Sequence, residues 1–112
     1  MINYEFGEIV LVDFPLSGTS QRKKRPALVI LDIRDRDIVL APITTKERSG
    51  TGDYTLKDWS TNGLLQASWV RLAKIACLNK EGITRRLGHC TEDDKQRIET
   101  LWKKVYVFPG KT

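Results

Sequence analysis

A chain of 112 residues carrying 19 Lys and Arg against 14 Asp and Glu has a net charge of +5 and the length of a single domain spanning 1–112. Its 40% hydrophobic and 29% charged content excludes disorder throughout. No apolar run approaches the ~20 residues that span a bilayer. The start, Met1-Ile2-Asn3-Tyr4-Glu5, has no basic or apolar signal region. The chain is therefore expected in the cytoplasm, without a membrane partner.

Cys77 and Cys90 are too few for a disulfide framework, and with His89 as the lone His they make a poor metal set. Reduced structural thiols, with no metal and no cofactor, are the expectation. His89 and Cys90 make a weak catalytic couple, because neighbours on a strand point to opposite faces.

Charge is unevenly placed. The first sixteen residues hold Glu5, Glu8 and Asp13 and no base, whereas residues 17–48 hold eight bases and four acids. Arg22-Lys23-Lys24-Arg25 is the densest block. It reads either as a solvated loop or as a patch that attracts phosphate.

In chain order, Glu8 to Phe14 is β-branched and apolar and reads as a strand stopped by Pro15. Leu16 to Lys24 reads as a connection around Ser17-Gly18-Thr19-Ser20. Pro26 then opens Ala27 to Leu31, a strand buried on both faces. Ile38 to Ile43 is a third strand, with Pro42 marking a bulge or an edge. Thr44 to Gly52 reads as a polar loop, and Asp53 to Leu56 as a short strand. Asp58 to Leu65 is a short helical turn closed by Asn62-Gly63.

Ser68 to Ile75 alternates as a strand, and Ile83 to Leu87 as another. A helix starts at Thr91, with Asp94 in the position of a capping-box acid and Ile98, Leu101, Trp102 and Val105 forming one apolar stripe. Trp59 and Trp69 suit either base stacking or packing. Short strands with one terminal helix predict a mainly β barrel or sandwich.

Several segments together resemble the MazF/PemK-like toxin family. They are Gly7 to Pro15, Lys24-Arg25-Pro26-Ala27-Leu28-Val29-Ile30, Ala41-Pro42-Ile43-Thr44, Asp58-Trp59 leading to Gly63-Leu64-Leu65, Ser68-Trp69-Val70-Arg71, and Arg86-Leu87-Gly88 before an acidic-capped helix. The resemblance runs from Gly7 to about Val105. It implies an SH3-like small barrel with a C-terminal helix, assembled as a homodimer. It also implies the toxin of a type II toxin–antitoxin pair, with a cognate antitoxin and operator DNA bound only together with that antitoxin. The implied activity is a metal-independent endoribonuclease that cuts single-stranded RNA through the ribose 2′-OH, leaving a 2′,3′-cyclic phosphate and a 5′-OH.

The family's Arg before a Pro and its Thr at the end of the third strand fall on Arg25 and Thr44, the implied catalytic pair. Arg71 matches an Arg that some members pair with an Asp two residues later, but position 73 is Ala73. Chemically, Arg25 offers a planar fork of donors to phosphate oxygens, and Thr44 a hydroxyl to orient them. Ser20, Gln21, Lys24, Thr45 and Arg71 are candidate substrate contacts. No residue in the matched motifs is a convincing general base. The alternative is a non-catalytic barrel that binds nucleic acid or a protein target such as DNA gyrase.

Overall fold

The computed structural model describes residues 2–15 and 20–110. In order it forms β1 (Glu8–Pro15), β2 (Arg22–Leu31), β3 (Asp37–Thr44), β4 (Asp53–Thr55), β5 (Trp69–Arg71), β6 (Ala76–Asn79), β7 (Ile83–His89) and α1 (Glu92–Val105). The connection expected at 16–19 lies outside the described residues. Pairing is antiparallel throughout, in the order β4-β5-β3-β2-β1-β7, with β6 also paired to β3. The expected mainly β architecture with a C-terminal helix is present, as an open strand path rather than a closed ring. No helix among the described residues is long and apolar enough to cross a membrane.

The apolar stretches of β1, β2 and β3, at residues 9–12, 27–29 and 38–43, supply side chains to clusters on both faces of the sheet, which explains their continuous apolar character. Ile9, Leu28, Ala41 and Ile43 face one cluster with Val70, Leu72 and Ile98. Val10, Val12, Ala27, Val29 and Leu40 face the other with Tyr4 and Ile38. α1 covers the first cluster through Ile98, with Leu101 and Trp102 packed beside it. Tyr106 closes the helix, its hydroxyl donating to the Leu72 carbonyl and its ring 4.1 Å from that of Trp102.

Three expectations are corrected. The cationic block is strand, not loop: β2 begins at Arg22, and Lys23, Lys24 and Arg25 pair with Phe14, Asp13 and Val12 of β1. Pro26 sits inside that strand. The strand expected over 68–75 ends at Arg71, because Leu72 to Lys74 turns as a 3-10 segment while the Leu72 N–H bonds the Gly52 carbonyl at 2.7 Å. That turn delivers β6, which periodicity did not reveal, to the first half of β3.

The capping box forms only by half. The Thr91 side chain accepts the Asp94 N–H at 3.3 Å, but the Asp94 carboxylate turns inward. Fully buried, it accepts the Tyr54 hydroxyl (2.5 Å) and the Lys57 and Asp58 N–H groups (3.0 Å each), pinning the helix start to the segment after β4. Hydrogen bonding to this carboxylate and burial both push the Tyr54 phenol well above its usual range, with burial the larger cause. A second buried acid, Asp32, meets Lys80 at 2.8 Å and accepts the Tyr4 and Arg34 N–H groups at 2.8 Å each. Burial alone would raise its pKa, but the hydrogen bonds from Lys80 and the two amides outweigh it and the net shift is downward.

Asp94→Ala leaves three part-buried donors without their acceptor and should cost about 2–3 kcal/mol in denaturant unfolding, against about 1 kcal/mol for Tyr54→Phe. For Asp32 the folded-state pKa lies below the ordinary 3.8. Its contribution is therefore complete above that value and is lost as pH falls through the folded-state pKa. Asp32→Asn should lower stability at neutral pH by removing the charge that faces Lys80, and should lose less of what remains on acidification.

Candidate functional site

The site is built where β2 and β3 part. Their register runs through Leu28 opposite Ala41 and Ala27 opposite Pro42 and stops there. The Val29 carbonyl faces β1, accepting the Gly7 N–H at 3.0 Å. Peptide groups alternate along a strand, so the nitrogen of Pro26 faces β3, where it has no hydrogen to give. The β2–β3 ladder therefore ends. β2 continues against β1 alone, while Ile43 and Thr44 pair with Val70 and Trp69 of β5. Carried two residues further, the β2–β3 register sets Arg25 opposite Thr44 across the gap.

That gap is a cleft of about 700 Å³ lined by both residues. Its floor is apolar, from Leu11, Pro26, Ile43, Leu64 and Leu87. Among the described residues its rim holds six cations, Lys23, Lys24, Arg25, Lys46, Arg48 and Arg85, and no carboxylate or imidazole. None of the six is in an ion pair among the described residues, although Asp13 lies opposite Lys24 in the β1–β2 ladder. Arg86, next to Arg85 on β7, is held on the other face. It bonds Glu8 at 2.7 Å and lies 4.4 Å over the Tyr4 ring. Such a concentration of unneutralised charge over an apolar floor attracts a polyanion that also has flat apolar surfaces.

One wall depends on two glycines. Gly63 has φ +84°, and a Cβ there would lie 2.0 Å from the Leu87 carbonyl oxygen; one on Gly88 would lie 2.3 Å from the Asn62 carbonyl oxygen. The turn that ends at Asn62-Gly63 is thus pressed directly onto β7, fixing Leu64 to Gln66 opposite Arg85 and Leu87.

Of the residues expected from sequence, Lys24, Arg25, Thr44 and Thr45 line the cleft. Ser20 and Gln21 lie exposed before β2 and outside the lining. Arg71 is also outside it. Its Nε donates to Asp53 on β4 at 3.2 Å, and the other Asp53 oxygen accepts the Gly50 N–H at 2.9 Å. Position 73 is Ala73, and the carboxylate that meets Arg71 comes instead from across the β4–β5 pair, in an ion pair that braces the loop after β3.

Sequence reasoning missed Lys46, Arg48, Arg85 and the Leu64–Gln66 wall. Arg85 had a usable signal, since alternation of Arg85 and Arg86 on a strand sends them to opposite faces. His89 is exposed and outside the cleft, and burial pushes the Cys90 thiol up to about 12, with the Asp94 charge adding to it. Trp59 packs against the core. No group of three His, Cys, Asp or Glu among the described residues is placed to hold a metal ion.

Comparison with solved structures gives the same architecture. An endoribonuclease in complex with its cognate antitoxin, from a mycobacterial species, matches with TM-score 0.74 at 19% identity over 92% of this chain and 94% of that one. The Mycobacterium tuberculosis toxin MazF-mt6 matches with TM-score 0.74 at 19% identity, covering 88% and 94%. A further mycobacterial endoribonuclease matches with TM-score 0.74 at 18% identity, covering 94% and 92%. No curated protein matches in sequence. The family model for the PemK-like, MazF-like toxin of type II toxin–antitoxin systems matches residues 5–106, nearly the whole chain. The chain belongs to the PemK-like, MazF-like toxin family.

Proposed function

We propose that the protein is an endoribonuclease toxin that cuts single-stranded RNA in the cleft between β2 and β3. The observation that carries this reading is the opposition of Arg25 and Thr44 on a rim of six cations with no acid among them. Cutting through the 2′-OH requires in-line positioning and stabilisation of the extra negative charge on phosphorus. Arg25 is suited to that charge, because its guanidinium matches phosphate oxygens and does not titrate away. The Thr44 hydroxyl oxygen already accepts the Lys46 N–H at 3.1 Å, so its own hydrogen is free to point at a phosphate oxygen.

The 2′-oxygen then bonds to phosphorus as the bond to the 5′-oxygen breaks. The proton of the 2′-OH ends, by way of solvent, on the departing 5′-oxygen. With no carboxylate or imidazole lining the cleft, the rate rests on positioning and electrostatics rather than on a tuned base. The family resemblance further supports a cytoplasmic homodimer. It is neutralised by an antitoxin whose acidic segment suits the same rim, and binds operator DNA only in that complex.

Purified protein should cut single-stranded RNA in EDTA and leave 2′,3′-cyclic phosphate ends, read by end-specific sequencing. Arg25→Ala should reduce the rate by at least about 100-fold, the scale of losing one charge-stabilising donor. Binding of a varied RNA pool without any cutting would instead favour the non-catalytic nucleic-acid-binding barrel, the reading to which the missing base points.

A further inference from the structure

We infer that Arg48 is a second anion-binding guanidinium of the cleft, whose buried Nε–H is completed by a phosphate oxygen of the bound strand. The inference rests on the RNA-cutting reading for the identity of the anion, and on local geometry for the site. Arg48 lines the cleft, and its Nε is buried with no hydrogen-bond partner among the described residues. A buried donor on a charged group is expensive to leave unmade, so the position is suited to an acceptor brought from outside. Among the described residues, no carboxylate lines the cleft to supply one from within.

The loop that carries Arg48 is held at both ends. At the start the Lys46 N–H bonds the Thr44 hydroxyl oxygen. At the far end Asp53 accepts the Gly50 N–H and the Arg71 guanidinium, and the Asp53 N–H returns to the Gly50 carbonyl at 3.1 Å. The backbone that presents Arg48 is therefore fixed in advance, and less of the loop's freedom is lost when an anion arrives. Arg25 comes from β2 and Arg48 from the loop after β3, so the two approach the cleft from different walls. Two guanidiniums from separate elements can each engage a phosphate oxygen of a strand laid between them. The RNA-cutting reading makes that anion a phosphodiester, and an acidic peptide is the alternative that the test separates from it. Arg71 serves this site indirectly, as a positioning residue acting through Asp53.

The test follows the arginine Nε–H signals of the intact, nitrogen-15-labelled protein by NMR, with Arg48 assigned from the signal missing in Arg48→Lys. Pyrophosphate and an all-deoxy oligonucleotide, which cannot be cut through a 2′-OH, are titrated separately, and polyglutamate is the acidic control. The Arg48 signal should move with both phosphate probes. Arg48→Lys should weaken oligonucleotide binding about tenfold or more while leaving the salt dependence unchanged, because the charge stays and the fork is lost.

An unmoved Arg48 signal at saturation, with Arg48→Lys binding like the parent, overturns the inference even if RNA is cut. Movement with pyrophosphate in a protein that neither binds nor cuts nucleic acid upholds the anion site and overturns the RNA reading. Movement with polyglutamate alone overturns the assignment to phosphate.

Discussion

A missing hydrogen at Pro26 sets the geometry on which the cleft depends. A strand residue ordinarily offers an N–H to one neighbour or the other, and Pro26 has none to offer on the side of β3. The ladder cannot be extended there, so β3 is released to β5 while β2 runs on against β1. Arg25 follows directly from this: it is the residue just before the break, on a strand that is still held on one side. Pro42 plays the corresponding part in β3. It falls between the half paired to β6, which ends at Leu40, and the half paired to β5, which begins at Ile43. Each proline lies where one edge of its strand lacks a partner, so neither costs a ladder bond.

The charge pattern is organised around the same break. Ion pairs collect away from it, at Arg86 with Glu8, Arg71 with Asp53, Lys80 with Asp32 and Arg97 with Asp93. Several of these fix elements that border the cleft without entering it. The cations on the rim are left unneutralised. Surface ion pairs contribute little stability on average, so their placement matters here more for orientation than for energy.

Much of this was legible in the sequence, and the gaps have identifiable causes. β1, the apolar half of β2, β3 and α1 were readable because continuous apolar runs and a 3.6-residue stripe are local signals. Arg25, Thr44, Lys24 and Thr45 were reachable through motif order. The strand character of Arg22 to Arg25 was not, since a run of four cations carries no burial signal and its order comes from pairing with β1. β6 is short and half exposed, so only β3 identifies it. Asp94 was placed correctly at the third helical position, but its partners lie 36 to 40 residues away. Capping rules describe local bonds and could not foresee them. Arg48 was hidden for the same reason, because a polar loop looks mobile until its anchors on Asp53 and Thr44 are known.

The unneutralised rim also shapes the thermodynamics of the free protein. Six like charges held around one cavity repel each other, and the repulsion is part of the folded state. Any polyanion that settles there relieves it and, by linkage, stabilises the fold in proportion to the logarithm of its concentration over its dissociation constant. The protein with its cleft empty is thus less stable than the same protein with a polyanion bound. A bound polyanion does two things at once, neutralising the rim and tightening the fold that carries it.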